Sequence, residues 1–480
     1  MNSALVLRIL GAMLLFLAGA LLLPLPFSFY FRDGAAAGFL AASALSAVAG
    51  GLCLKYFHSP KELSVREGFA VVTFCWTFYA LFGALPFVFS GAVPNYLDAV
   101  FETMSGFTTT GATIITDLAV VPQSIVFWRA LTQWLGGMGI IVLSLAILPM
   151  LGVGGMQLFK AEFPGPTTDR LKPRIQDTAK LLWGVYVLLT VVETVLLLAG
   201  GMSFFEALSH AFATVATGGF ATRDASVGAY GSAYLDGVIT FFMFLGGINF
   251  YLHFQMLRGR LRDFYRNEEF LVYLGLAVGV TVLIMALNHG TVYASLADNL
   301  RYSAFQVVSI LTTTGFATAD YEGWPTLAQY LLVFLMFVGG CAGSTAGGIK
   351  IARLLLLFKH AQVQIYRLIH PRAVRLVKLG NTPVDRDVMQ SILGFLALYI
   401  VIFVIASFLM ALAGLDLVTA GASVIATLGN IGPGLGAVGP TDNYANIAPF
   451  GKTVLITCML LGRLELYTVL VLFFPSFWKK

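Results

Sequence analysis

Long apolar runs broken by short polar segments set the pattern of this chain. Runs of about 20 residues, enough to cross ~30 Å of hydrocarbon, lie near 4–30, 35–57, 68–90, 125–150, 181–201, 234–257, 270–288, 327–358, 390–413 and 450–474. Four further apolar segments, near 97–116, 204–222, 296–318 and 416–436, are shorter and turn glycine-rich, mostly with threonine, towards their ends. Each sits between two spanning runs. Such segments predict re-entrant structure, a half-helix descending and an irregular strand climbing back. The first run begins behind Arg8 like a secretory leader, but its length and the spans that follow predict a retained helix.

Composition agrees. Of 480 residues, 58% are hydrophobic and 11% charged, where soluble domains carry about a quarter charged; mean hydropathy is +0.85. This excludes a disordered chain and a disulfide scaffold, and it argues against a nucleic-acid binder. The four cysteines lack CxxC spacing and read as small buried hydrophobes, and the six histidines are scattered with no HExxH or cluster pattern. The net charge of +5 matters less than its distribution. Of the 29 Lys and Arg, 22 fall at the chain ends or in alternate loops: Arg8, three within 55–66, five within 160–180, four within 258–266, seven within 353–386, and Lys479 and Lys480. The positive-inside rule makes that side cytoplasmic, with both termini there and all four short segments dipping from outside.

The short segments repeat one another. TTTGAT at 108–113, ATGGFAT at 216–222 and TTTGFAT at 312–318 are versions of one motif, and GNIGPG at 429–434 is its most diverged copy. They equate Gly111, Gly219, Gly315 and Gly432. A second echo follows each: LGG at 135–137, LGG at 245–247, VGG at 338–340 and LGR at 461–463. The unit is helix, re-entrant loop, helix, four times in one orientation. The expected fold is all-α and polytopic: a helix pair over 1–66, then pore repeats over 67–158, 159–268, 269–380 and 381–480 around a pseudo-fourfold axis. Four loops meeting on an axis suit a dehydrated cation, because rings of backbone carbonyls can replace its water. Glycine reaches φ > 0 and lets successive carbonyls turn inward, and the flanking threonines add hydroxyls and stiffness. The candidate filter is Thr109, Thr110, Gly111, Gly218, Gly219, Thr313, Thr314, Gly315, Asn430, Ile431 and Gly432. Asp98, Glu206, Asp298 and Asp416 suit the positive ends of the half-helices.

The run 327–358 would be about 48 Å long as one helix, and its middle, 339–348, holds five glycines. Each costs up to ~1 kcal/mol relative to alanine, so a break is predicted there. Irregular backbone at membrane depth must be buried in protein or line water, which makes a loop below the filter a candidate gate: Gly339, Gly340, Gly343, Ser344, Thr345, Gly347 and Gly348, with Lys350. Arg463 stands midway along the last helix, where a charge costs ~2.5–3.5 kcal/mol unless it faces protein or water. It is expected to point into the pore as an electrostatic barrier and to bond the 339–348 loop. Glu465, two positions on, is a poor partner for it; a buried carbonyl or Glu193 is the structural alternative. GxGxxG at 434–439 lacks a βαβ unit and GKT at 451–453 lacks its first glycine, so no nucleotide site is expected on this chain. No catalytic constellation is present, and the chain is not expected to be an enzyme.

The four loops, the extra N-terminal pair, GGCAGSTAGGIK at 339–350 and LGRLELYTVLVLF at 461–473 resemble the Trk/Ktr/HKT superfamily of potassium transporters, above all its bacterial TrkH-type pore subunits. The resemblance spans essentially the whole chain. It implies one filter glycine per loop, with glycine in all four positions going with potassium (rubidium and, more weakly, sodium beside it). It also implies an intramembrane loop at 339–350, a homodimer in the lipid of a bacterial inner membrane, and a cytoplasmic ring of nucleotide-binding regulatory subunits of the TrkA type. The function expected is gated, channel-like potassium uptake; the alternative is a secondary transporter coupling potassium to protons or sodium, with Glu193 as its main intramembrane acid. Outside, eleven acids stand against Arg129, Arg223, Arg301 and Lys452, a local balance of −7 that concentrates cations at the mouth.

Overall fold

Small residues set the first helix contact. In the computed structural model, which describes residues 2–58, 64–146, 171–373, 375–380 and 382–479, helices Ser3–Ala20 and Ala36–Tyr56 cross where Gly11 meets Gly50. A Cβ on Gly50 would lie 2.7 Å from the Gly11 carbonyl oxygen, so the backbones touch directly, as membrane helices do through small residues. The Ser43 hydroxyl donates to the Ala18 carbonyl at 2.8 Å and fixes the crossing. The first predicted run is not one rod: a turn ending at Pro24 separates it from Leu25–Phe31.

Four similar units follow. Their long first helices are Val65–Gly83, Leu171–Ala199, Glu268–Asn288 and Arg386–Leu412. Their short helices are Tyr96–Phe107, Phe204–Val215, Leu296–Leu311 and Leu417–Leu428, roughly 18–24 Å at 1.5 Å per residue and so too short to span. Each short helix starts at a side-chain cap: Asn95, Ser203, Ser295 and Asp416 accept hydrogen bonds from first-turn N–H groups. Asp98, Glu206 and Asp298 stand in the first turn, while in the fourth unit the acid is the cap itself. Hydrogen bonds from Thr419 hold the Asp416 carboxyl below its usual range, keeping it charged beside the positive helix end.

The second helices differ from expectation. The glycines at 339–348 predict one break; three occur. Ala233–Gly246 and Phe250–Leu257 meet at 102°, and Pro449–Arg463 and Tyr467–Phe473 at 112°. Thr326–Val338 and Ile351–Ile369 are separated by the predicted loop. Every break follows the glycine echo. At the first, Asn249 caps a new helix by accepting from Tyr251 N–H at 2.9 Å; at the last, Glu465 and Leu466 both take positive φ, 59° and 39°. Yet Gln123–Ala146 runs unbroken through Gly136 and Gly137. Among the described residues six helices are long and apolar enough to span, and the two bent pairs make eight. The other two predicted runs correspond to Gln123–Ala146 and the broken pair around 339–350. The end of run 125–150, the 158/159 boundary and the bases Lys61, Lys160, Arg170 and Lys480 lie outside the described residues. A small antiparallel hairpin, Lys378–Leu379 with Thr382–Pro383, was not predicted and sits in the basic segment after Ile369.

Candidate functional site at the meeting of the four loops

Each short helix ends in the same way. Thr109, Thr217, Thr313 and Asn430 adopt left-handed φ of 50°, 53°, 57° and 54°. The residue after each (Thr110, Gly218, Thr314, Ile431) donates its N–H to the carbonyl five positions back at 2.7–2.8 Å. That is the Schellman closure, normally built on glycine. Threonine there costs about 1–2 kcal/mol, three times over, whereas the asparagine of the fourth loop tolerates it. Two residues beyond each left-handed position comes the predicted glycine, again with positive φ: 83°, 81°, 81° and 100° at Gly111, Gly219, Gly315 and Gly432.

The glycines close a ring. A Cβ on Gly111 would lie 2.2 Å from Gly218 O, on Gly219 1.9 Å from Thr314 O, on Gly315 1.9 Å from Ile431 O, and on Gly432 2.7 Å from Thr110 O. Each loop therefore presents its glycine to the preceding carbonyl of the next, and the fourth returns to the first. The structure thus brings all eleven candidate filter residues together with pseudo-fourfold order. Two constraints, positive φ and a neighbouring carbonyl, mean that any side chain at the four glycines must push a ring carbonyl aside.

The threonine hydroxyls are used differently than expected. Thr108 Oγ1 donates to Met104 O at 2.7 Å and lies 2.8 Å from Thr110 Oγ1; Thr312, Val308 and Thr314 repeat this at 2.7 and 2.8 Å. These hydroxyls stiffen their own loops. Among the left-handed positions, Thr217 donates to Ala216 O and Thr313 accepts from Gly347 N–H at 2.6 Å. The Thr109 hydroxyl is buried without a partner among the described residues.

On one side of the ring all four glycines line a cavity of about 120 Å³, which Asp224, Asp442, Arg129 and Arg223 also edge. All four outer bases sit in ion pairs: Arg129–Glu102 at 2.7 Å, Arg223–Glu206 at 2.8 Å, Arg301–Asp236 at 2.7 Å and Lys452–Asp98 at 2.6 Å. Seven of the eleven acids have no basic partner among the described residues, so the acidic excess there is not neutralised by them. Arg129 does more than pair. It also donates to Thr113 Oγ1 and Ala221 O and lies 4.1 Å from the Phe220 ring, tying loop 1 to loop 2.

On the other side lies the 339–350 loop. Its ends cross at Gly339 and Gly348, where an added Cβ on either would fall 2.8–2.9 Å from the other's Cα. Ile349 and Lys350 N–H donate back to Phe337 O and Val338 O. The loop touches three repeats: Thr345 Oγ1 donates to Val215 O and Gly246 O, Gly347 N–H meets Thr313, and a Cβ on Gly347 would lie 2.2 Å from Gly429 O. Arg463, 3% exposed, joins it to the remaining repeat. Its guanidinium donates to Thr345 O at 2.7 Å and Gly136 O at 3.2 Å. The predicted bond from Arg463 to the loop is present, made to carbonyls and not to Glu193. Glu465 pairs instead with Arg353, and Lys350, also buried, donates to Ala346 O. All four repeats touch the loop, directly or through Arg463.

Two site residues escape sequence reasoning. Glu269, buried at the start of the third first-helix, accepts from Ala342 and Ala352 N–H at 2.6 and 3.1 Å and so grips both ends of the loop. Gln133, fully buried, reaches loop 2 from the neighbouring helix. An acid next to Glu268 at a cytoplasmic helix end looks like surface, and one glutamine in an apolar run carries no spacing signal.

Comparison with known proteins follows the same lines. The family model described as TrkH, cation transport protein, matches residues 36–480. The Trk system potassium uptake protein TrkH of Salmonella typhimurium is 44% identical over 479 residues, covering 98% of this chain and 99% of that one. The TrkH of Halomonas elongata is 42% identical over 484 residues with full coverage of both, and the TrkG of Escherichia coli is 36% identical, covering 90% and 89%. The crystal structure of the potassium transporter TrkH from Vibrio parahaemolyticus superposes with a TM-score of 0.92 at 37% identity over the whole of both chains. By fold, by repeat and by sequence over its full described length, this chain belongs to the TrkH family of cation transport proteins.

Proposed function

We propose that the chain takes up potassium through a gated, channel-like pore, with the four loops as filter and the 339–350 loop with Arg463 as gate. The observation carrying this reading is the closed ring in which each of four glycines abuts the next loop's carbonyl. Backbone carbonyls held by Schellman closures form a rigid oxygen cage able to replace the hydration shell of a cation. The relatives named for potassium uptake, at 42–44% identity over the whole chain, supply the ion. The loop and Arg463 lie directly beneath the ring, so a cation leaving it meets a buried positive charge. Lys350 adds a second one. The division into an N-terminal helix pair and four pore repeats, residence in a bacterial inner membrane with cytoplasmic termini, a homodimer and a TrkA-type regulatory ring on the basic face complete the reading. Potassium is substrate here, and the chain needs no nucleotide of its own.

Liposome flux with potassium, rubidium, sodium and lithium tests the filter. Wild type is expected to favour potassium and rubidium, and Gly111→Ser to shift towards sodium, since its Cβ and hydroxyl enter the ring beside Gly218 O. Sodium preference in the wild type overturns the substrate. Coupled transport has one favouring observation, the Glu193 carboxyl, buried with neither oxygen partnered among the described residues. Potassium current that reverses at its Nernst potential in a pH gradient supports the channel; a pH-shifted reversal supports coupling.

A further inference from the structure

Loop 2 departs from loops 1 and 3 by losing its threonine scaffold. Where they carry Thr108 with Thr110 and Thr312 with Thr314, each pair joined at 2.8 Å, loop 2 carries Ala216 and Gly218. Two adjacent glycines, 218 and 219, make it the most permissive segment of the ring by sequence. Yet its glycine takes the φ of those in loops 1 and 3, 81° beside 83° and 81°. Something outside the loop holds it.

Gln133 does so. Its side-chain amide grips the loop from both sides of the filter glycine: Nε2 donates to Gly218 O at 2.6 Å, and Oε1 accepts from Phe220 N–H at 3.0 Å. Gly218 is glycine for the same reason, since a Cβ there would lie 2.4 Å from Gln133 Cδ. The glutamine fills the space a threonine side chain would need and replaces its hydrogen bonding. Position 133 is four residues before the end of the glycine echo. The corresponding positions in the other repeats are Met243, Met336 and Met459, all fully buried. Three repeats thus place a flexible apolar side chain where the first places an amide. Gly218 O differs accordingly from Thr110 O, Thr314 O and Ile431 O, for which no protein donor exists among the described residues.

We propose that Gln133 is a selectivity-determining positioning residue, which fixes the Gly218 carbonyl in the ring through its amide and has taken over the role that Thr110 and Thr314 play in their own loops. This rests on the four loops acting as the filter. Gln133 does not meet the ion. It sets where one of four oxygens stands and keeps one lone pair of that oxygen engaged, so the cage presents three unengaged carbonyls and one shared.

The pair Gln133 and Gly218 gives a reciprocal test in the full-length protein reconstituted into liposomes. Gln133→Met, the residue of the other repeats, is expected to lower the potassium-to-sodium permeability ratio roughly fivefold, the worth of one neutral hydrogen bond, with potassium flux retained. Gly218→Thr alone collides with the glutamine and is expected to abolish flux. Gln133→Met combined with Gly218→Thr gives loop 2 the methionine and the second threonine of loops 1 and 3, with Ala216 still in place of the first, and is expected to restore flux and part of the selectivity. A merely structural role predicts recovery of flux without movement of the ratio. Unchanged ion ratios in Gln133→Met overturn the proposal, as does a double variant no better than Gly218→Thr alone. If Gln133→Met does not assemble, the comparison of the double variant with Gly218→Thr decides. Gly111→Ser run in parallel separates the two levels. If it leaves the ratios untouched, the filter reading fails; if it moves them and Gln133→Met does not, only the role of Gln133 fails.

Discussion

Arg463 is the residue on which the proposed gate turns. Its guanidinium is removed from water in the centre of the protein, which for a charge is costly unless hydrogen-bonded. It finds two carbonyls, Thr345 O and Gly136 O, while its Nε has no acceptor among the described residues. An arginine held this incompletely keeps residual attraction for any further acceptor and repels a cation descending from the ring. Arg463→Ala removes both the charge and the bond that holds Thr345. Potassium flux is expected to rise roughly tenfold, the scale of one charged hydrogen bond, measured in liposomes against an equal amount of folded protein. Unchanged or reduced uptake counts against a gating role. Its approach to the loop was legible in the sequence because an intramembrane charge and an intramembrane glycine run each demand a partner. The identity of its acceptors was not, since backbone carbonyls leave no trace in residue type.

At the scale of elements, what could be read depended on what glycine meant at each place. In the loops, glycine recurs at one phase with threonine before it, and the structure gives it one job, positive φ against a neighbouring carbonyl. In the second helices the same residue does two jobs. Gly136 and Gly462 each permit close approach to a short-helix end: an added Cβ would lie 2.0 Å from Phe107 O and 2.0 Å from Leu428 O. Gly247 and Gly339 precede breaks. The helix runs on through 136–137 but ends between Gly246 and Gly247, and no local propensity separates the two pairs. What separates them is the neighbour, because Cys341 N–H donates to Gly247 O and Phe250 N–H to Gly343 O, bonds available only to a chain that has left the helix. The ion pair Glu102–Arg129 is a second element-level device. Buried to 0% and 2% exposure, it binds the first short helix, loop 1 and loop 2. Glu102→Ala strands the guanidinium and is expected to destabilise the protein by about 3–5 kcal/mol, read as a lowered unfolding midpoint in detergent. Glu102→Met combined with Arg129→Met is expected to recover most of that loss. Equal midpoints for wild type and Glu102→Ala would show that the pair does not brace the loops.

Over the whole molecule, charge is sorted along the path an ion takes. In the proposed orientation the cytoplasmic face holds most of the bases, the centre holds Arg463 and Lys350, and the outer face keeps seven acids without a basic partner among the described residues after its four bases are paired off. The ring lies between the acids around Asp442 and the buried cations, and in the proposed function a cation is drawn in by the first, held by the ring oxygens and stopped by the second. Attraction at the mouth is long-range and exposed to salt, whereas the ring and the arginine are enclosed. This separates their signatures. Asp442 edges the outer cavity, is itself exposed and makes no ion pair among the described residues. Asp442→Asn is expected to raise the potassium concentration for half-maximal uptake about twofold at low ionic strength through loss of one focusing charge, leaving maximal flux and ion ratios unchanged. With an impermeant salt the Debye length shrinks from ~30 Å at 0.01 M to ~10 Å at 0.1 M, and the difference between variant and wild type is expected to shrink with it. A shift independent of salt would mean that Asp442 acts through local structure and not through the field of the mouth, and a change in ion ratios would place it within the filter's own geometry.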